Sequence, residues 1–366
     1  MKVALTDKLA DALGLKNLPG QEDDDSLFSF TANWTNVWLD GPNDMIVLRN
    51  HKLPLTIIHY PAKRQDLIDM EEKLSGSIRA TLLALNFNPS VVDEYLKQGG
   101  AVQFTRNKSR SKASYITKSG TDAAFYVGRA SQYPAVYSDA QIGASLNRQI
   151  LYAPSPSDPK EIMSAAELMR DALAKLTGSS PYSYRAFELE ATLDLDLYKA
   201  KRRFIVPAAF TFKRLHLLLQ TVYSWENYHL YDFLLADPRQ GGRLVRLIPY
   251  EEFSWEEDNE VIMEDIRLDA YLPETKTMTY AYDYGDNWQI SIDLIREIAH
   301  HDQDSPFLLD AQGEAPPEDV GGIGGYAEFL DIYNDPNHPE HEHMKDWAGY
   351  WTPNLYFFGP RLISEC

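Results

Sequence analysis

The strictest alternation of apolar and polar positions falls in the second half of the chain. Tyr280, Tyr282 and Tyr284 alternate with Ala281, Asp283 and Gly285, and the pattern resumes as Trp288, Ile290, Ile292 and Leu294. A period of two is that of a β-strand with two unlike faces. Gly285 and Asn287 tolerate positive φ, so Gly285-Asp286-Asn287 reads as a turn, and the stretch predicts a β-hairpin or one bulged strand. Trp288 is expected to be buried, its indole N–H needing a partner, and Asp286 is near in sequence.

Upstream, the same reading gives a series of elements. Asp7–Leu13 predicts a short helix capped by Thr6, with Leu5 packing back on it. Phe28–Leu39, Met45–Arg49 and Leu55–Tyr60 predict strands, the first two separated by the turn Gly41-Pro42-Asn43-Asp44. Asp66–Asn86 and Pro89–Gln98 predict helices, and Ala101–Thr105 and Ala113–Thr117 predict strands. Ser138 and Gln141 have capping-box spacing ahead of a helix over Asp139–Leu151. The Pro- and Ser-rich APSPSDPK, from Ala153 to Lys160, reads as a linker, and a helix over Glu161–Leu176 follows, ending at Gly178-Ser179-Ser180-Pro181.

A domain boundary is therefore expected near 153–182. It separates an N-terminal domain over residues 1–152 from a second domain over 183–366, with the linker and connecting helix between them. The second domain opens with the alternating run Tyr184–Leu197, then a short strand at Arg203–Val206. A helix capped by Thr211 follows, with an apolar face of Leu215, Leu218, Leu219, Val222 and Tyr223, and then a strand from Tyr228 to Phe233. Both halves carry strand runs and helices. Each of the two domains is expected to hold an antiparallel or mixed β-sheet packed with helices.

Composition narrows the class. The chain has 366 residues, long enough for two cores, with 44% hydrophobic and 12% aromatic residues, as a globular protein has. A net charge of −19 disfavours broad nucleic-acid binding, since the protein repels polyphosphate at long range. The single cysteine, Cys366, excludes a disulfide within the chain and a cysteine-built zinc site. No apolar run approaches the ~18 residues of a membrane span, and the first residues lack a secretory pattern, so no membrane association and a cytoplasmic location are expected.

Five motifs carry a resemblance. They are the Leu215-His216 pair in a helix, W-x-N-x-H-L-x-x-F from Trp225 to Phe233, YDYGD-x-W from Tyr282 to Trp288, PPEDVGG-x-x-GY from Pro316 to Tyr326, and W-x-x-Y-W-x-P from Trp347 to Pro353. In this order they resemble the plasmid pRiA4b ORF-3-like family over about half the chain. The resemblance implies an α+β fold with an antiparallel sheet and an association with mobile elements, but no established reaction. Members of that family usually carry His two residues after the motif's Trp. Ile290 stands there in this chain, which removes a catalytic histidine at that position. Cysteines that many members carry around PPED are replaced by Leu308 or Leu309, Ala315 and Val320, so a cysteine-based metal site is absent. The first domain resembles a small bacterial family of unknown function, through FTANW, Phe30–Trp34, and the segment from Thr105 to Ser109.

Three candidate sites follow. His216, His229, Asp283, Asp286, Glu318 and Asp319 are the raw material of a divalent metal or general acid–base site. Within it, Asp283, Asp286, Glu318 and Asp319 are the catalytic candidates, and His216, His229 and Asp286 the candidate ligands. The plain alternative is a core histidine at 216 and turn-capping acids, since no compact signature such as H-E-x-x-H is present. The glycines of PPEDVGGIGGY can cradle phosphate through backbone N–H groups, but the loop lacks the Lys-Ser/Thr of a P-loop. The basic run TRNKSRSK, Thr105 to Lys112, offers Lys108 and Arg110 to an anion or nucleic acid, or is a solvated hairpin loop. HPEHEH, His338 to His343, reads as a solvated loop able to hold adventitious metal.

Aromatics near acids, namely Trp288, Tyr326, Trp347, Tyr350 and Trp351, suit recognition of a protein or other macromolecular partner. The leading expectation is an accessory protein that binds such a partner in a groove between Asp283–Trp288 and Pro316–Tyr326. A metal-dependent hydrolase is the alternative, and nucleic-acid binding through residues 105–112 the third. No cofactor is predicted beyond the divalent metal of the alternative.

Overall fold

The computed structural model describes residues 1–21, 24–37, 44–62, 67–130, 138–149, 151–152, 163–255, 258–349 and 361–362. The turn at Gly41–Asn43, the APSPSDPK segment, and Tyr350, Trp351, Pro353 and Cys366 lie outside them. The chain divides into two units, Met1–Ser183 and Tyr184–Cys366.

The first unit runs β1 (Lys2–Leu5), α1 (Asp7–Ala12), β2 (Gly20–Gln21), β3 (Ser29–Asn36), β4 (Asp44–Asn50), β5 (Thr56–Ala62), α2 (Met70–Ala84) and α3 (Pro89–Gly99). It continues as β6 (Gln103–Asn107), α4 (Arg110–Ala130), α5 (Asp139–Gln149), the two-residue strands β7 (Leu151–Tyr152) and β8 (Met163–Ser164), and α6 (Ala165–Thr177). Six strands form a mixed sheet in the order β2-β6-β1-β3-β4-β5. In it β1 pairs parallel with both β3 and β6.

The strands β3 to β5 and the helices α3 and α5 appear where expected, and the foreseen cap of α5 forms, whereas Thr6 makes no capping bond to α1. Asn88 accepts the Ser90 N–H, and Ser138 and Gln141 exchange reciprocal bonds. Other elements differ from, or add to, the expected series. Residues 2–5 are a strand, because Val3, Ala4 and Leu5 are buried between two parallel neighbours. Ala113–Thr117 is helical, because Ile116, Ala123 and Val127 share the α4 face that packs on Val37, Val47 and Ile58. The run 105–112 is therefore not a hairpin loop but the end of β6 and the first turn of α4. The helix foreseen as a connector, α6, belongs to the first unit, where a complete capping box of Ser164 and Glu167 starts it.

The second unit runs β9 (Tyr184–Asp194), β10 (Lys199–Pro207), α7 (Phe212–Tyr223), β11 (Tyr231–Asp237), β12 (Arg243–Ile248), β13 (Glu260–Ile262), β14 (Thr277–Tyr282), β15 (Trp288–His301), β16 (Phe307–Gln312), α8 (Gly322–Asn334), α9 (His341–Ala348) and β17 (Arg361–Leu362). Nine strands form one sheet in the order β13-β12-β11-β14-β15-β9-β10-β16-β17, antiparallel except for β12–β13. The hairpin β14–β15 pairs Tyr282 with Trp288 and Tyr280 with Ile290.

Period-two alternation sends side chains such as Leu189, Phe233, Tyr280 and Ile290 into a single core with Leu215 and Leu219 of α7 and Tyr326 and Phe329 of α8. On the opposite face polar residues pair across strands, as in Glu188 between Arg203 at 2.5 Å and Arg296 at 2.6 Å. In the acidic run from Glu251 to Asp265 one carboxylate is buried. Glu260 is buried against Arg246, which also holds Asp232 at 3.0 Å and lies 3.5 Å from the centre of the Trp255 ring. The HPEHEH run is not all loop either, since α9 begins at His341.

Candidate metal centre

Three segments of the second unit meet at one end of the β14–β15 hairpin. The hairpin turn contributes Asp283, which takes the left-handed conformation at φ 54°. An aspartate tolerates this because its short side chain bonds to its own backbone. Asp283 Oδ1 accepts the N–H groups of Gly285 at 2.9 Å and Asp286 at 3.3 Å, and Asn287, at φ 56°, closes the turn. The left-handed residues are thus Asp283 and Asn287, with the capping carboxylate taking the place foreseen for glycine.

The second segment, between α7 and β11, carries His229. The Asp283 N–H donates to the Leu230 carbonyl at 2.9 Å, and the Tyr228 N–H donates to the Tyr282 hydroxyl at 3.2 Å, which tie this segment to the hairpin. The third, PPED, precedes α8. The Trp225 indole N–H donates to the Pro316 carbonyl at 3.0 Å, and the Gly321 N–H donates to Asp286 Oδ2 at 3.1 Å. Gly322, at φ 69°, passes so close to the hairpin that a Cβ there would lie 2.8 Å from the Asp286 carbonyl oxygen. The glycines of this loop serve close approach of backbone to backbone and the start of α8.

These constraints aim four side chains at one point. His229 Nε2 lies 3.1 Å from Asp319 Oδ1, 3.6 Å from Asp283 Oδ2 and 3.6 Å from Glu318 Oε2. Ligand atoms of His229, Asp283 and Asp319 all fall within 4.8 Å of one another. Glu318 is held through its other oxygen, which accepts the Glu226 N–H at 2.7 Å and the Tyr282 hydroxyl at 2.9 Å. Its Oε2 and the His229 Nε2 are both buried without a hydrogen-bond partner among the described residues. Burial pushes the Glu318 carboxyl above its ordinary range, against those two bonds and the nearby imidazole. Buried polar atoms left without a hydrogen bond cost about 1–3 kcal/mol each. One imidazole nitrogen and three carboxylates make a donor set for a divalent cation of hard or borderline character.

Other expected site residues lie elsewhere. His216 is not a ligand candidate. Its Nδ1 faces the Tyr280 hydroxyl at 2.7 Å and its Nε2 faces Asn227 Oδ1 at 2.7 Å, so both nitrogens are committed. Its ring stacks on Tyr231 with centroids 3.5 Å apart, and burial pulls its pKa down to about 3. Asp286 holds the Gly321 amide rather than joining the cluster. Trp288 and Tyr326 are in the core and offer no surface to a partner, whereas Trp347 is 44% exposed. Trp288 stacks toward Trp225 rather than meeting Asp286, and its N–H has no hydrogen-bond partner among the described residues.

In the first unit Lys108 and Arg110 are exposed beside the start of α4. Sequence reasoning missed Tyr282 as the residue that positions Glu318. Its place on the apolar face of the alternating tyrosines marks it as core, and only the tertiary fold brings the carboxylate to its hydroxyl.

Comparison of the sequence places this chain in a known family. It belongs, through its second unit, to the plasmid pRiA4b ORF-3-like protein family, which matches residues 185–358. A domain of unknown function (DUF6933) matches residues 2–162. The chain is similar to the uncharacterized protein y4hQ of Sinorhizobium fredii (strain NBRC 101917 / NGR234), with 36% identity over 163 residues, spanning 44% of this chain and 79% of that protein. It is also similar to the crystal structure of MM3350, a protein of unknown function from Methanosarcina mazei Go1. That match has 31% identity and a TM-score of 0.42, and covers 47% of this chain and 94% of that one. No described helix is long and apolar enough to cross a membrane.

Proposed function

We propose that the second unit binds a divalent cation through His229, Asp283, Glu318 and Asp319 and uses it in hydrolysis. The observation that carries this reading is the buried His229 Nε2, which makes no hydrogen bond among the described residues yet faces three carboxylate oxygens at 3.1 to 3.6 Å. A cation there satisfies the imidazole and the orphaned Glu318 oxygen together. Asp319 has a side chain 67% exposed, so one side of the ion is open to water and to a substrate. A bound ion of this kind lowers the pKa of its water and polarises the bond under attack. The chain's own residues fix the ligand geometry. The Asp283 turn and the Tyr282–Glu318 bond hold two carboxylates before any ion arrives, which lowers the cost of ordering them.

A proton on His229 is the competing occupant of the same position, and metal analysis separates the two. Tag-free protein is stripped with a chelator and titrated calorimetrically with Mn2+ and with Zn2+. One site per chain is expected, lost in His229→Ala and weakened at least tenfold in Asp283→Asn, since ligand and supporting residues each contribute on that scale. It persists in His216→Gln and when His338, His341 and His343 are replaced together. Metal-dependent cleavage of an activated ester or phosphate ester then follows the same variants. Unchanged binding in His229→Ala, or loss only with the 338–343 tract, overturns the proposal. The partner-recognition reading has less support, because two of its aromatic anchors, Trp288 and Tyr326, are core residues.

A further inference from the structure

The first unit holds a cavity of about 320 Å³, unrelated to the metal centre, lined by Thr31, residues 49–54, Lys112, Tyr115 and Leu168. Three of these are permanent cations, Arg49, Lys52 and Lys112, and no described lining residue is acidic. In a chain of net charge −19 this local sign is opposite to the average. Two of the cations are anchored by the fold. The Arg49 guanidinium donates to Ser119 Oγ at 2.8 Å, and Lys112, whose side chain is only 13% exposed, donates to the His51 carbonyl at 3.0 Å. Nearby carboxylates offset part of this charge. Asp25 lies 3.3 Å from the Lys112 ammonium but is 87% exposed, and Asp24 is taken by His51 and Ser29.

Lys112 belongs to the first turn of α4, a helix of 21 residues with no acid in that turn. Bases at a helix N-terminus oppose its dipole and cost stability, so their presence there needs another reason. An anion supplies one, because it meets the dipole and the cations together. The rest of the wall is apolar: Leu53, Pro54, Leu168 and the half-exposed Tyr115 ring, with the Arg49 guanidinium 5.6 Å from its centre. The volume is at the lower end of small-ligand sites.

We propose that this cavity binds a phosphomonoester on a planar apolar body, with Arg49, Lys52 and Lys112 on the phosphate and Tyr115 against the ring. The test is calorimetry on the intact, chelator-treated chain, so that no phosphate is held by a metal ion in the second unit. The probes are phenyl phosphate, adenosine monophosphate, inorganic phosphate and phenol. Saturable binding of phenyl phosphate or the nucleotide is expected, whichever is tighter naming the body, with inorganic phosphate weaker and phenol silent. Lys112→Ala and the exposed Lys52→Ala each weaken it about tenfold, the scale of one charge-assisted hydrogen bond, and Lys108→Ala does not. Absence of saturable binding by both organic phosphates overturns the proposal. So does affinity unchanged in both lysine variants, or inorganic phosphate binding as tightly as phenyl phosphate.

Discussion

Acidification tests the placement of His216, because a core histidine and a metal ligand respond to it differently. Asn227 Oδ1 accepts from Nε2–H, which leaves Nδ1 to accept the Tyr280 hydroxyl proton, while that hydroxyl accepts from Gln220 Nε2 at 2.9 Å. A second proton on the ring leaves two donors facing each other in a site with no carboxylate bonded to it, and burial lowers the pKa to about 3 from 6.5. A histidine depressed in this way contributes stability that is present above the unfolded value of 6.5 and lost as pH falls toward 3. At pH 5 the loss is about 1.5 pH units, or roughly 2 kcal/mol, and at pH 8 it is nil.

The assay is urea unfolding of the intact wild type and of His216→Gln at both pH values, followed by tryptophan fluorescence, since Trp225 and Trp288 share the core with this network. Groups that titrate in both proteins, such as Glu188 held low by Arg296 and Arg203 against its burial, cancel in the difference. The wild-type advantage at pH 8 is expected to shrink by about 2 kcal/mol at pH 5. An advantage that does not change with pH refutes the buried, neutral imidazole.

Three further outcomes follow from the same geometry. Glu318→Gln keeps an oxygen for the Glu226 amide and the Tyr282 hydroxyl but removes a charge that burial disfavours. Because the folded carboxyl binds its proton more tightly than the unfolded one, wild type loses stability as pH rises, so the metal-free variant should melt higher than wild type at pH 8 while metal affinity falls. A lower melting temperature contradicts this. Gly322→Ala places a Cβ 2.8 Å from the Asp286 carbonyl oxygen at a left-handed residue. A loss of about 1–3 kcal/mol on denaturation is expected, with weaker metal binding as the PPED segment moves off the hairpin. Replacing the exposed Lys108 and Arg110 together by Ala should leave the melting temperature within a degree or so and the salt slope of any weak nucleic-acid binding unchanged from wild type. A salt slope that falls in the variant would restore the nucleic-acid reading.

Local pattern by itself determined the β14–β15 hairpin, most helices, the caps of α5 and α7, and the short list of groups that meet at the candidate centre. These features are legible because alternation, capping and turn chemistry act over a few residues, and Asp283, Gly285 and Asn287 carry their turn wherever the hairpin lies. The tertiary structure decided which members of that list are used. His216 and His229 look alike in sequence. One sits on the inner face of α7, where Tyr231, Tyr280 and Asn227 enclose it, and the other lies in a loop that long-range pairing brings against Glu318 and Asp319. The same holds for Trp288 and Tyr326, whose burial comes from α7 and α8 closing over one face of the sheet, and for Ala113–Thr117, whose strand-like residues become helical when Ile116 finds Val37 and Val47. Which face a residue shows is local; what stands opposite that face depends on chain segments dozens of residues away, and no short pattern encodes it.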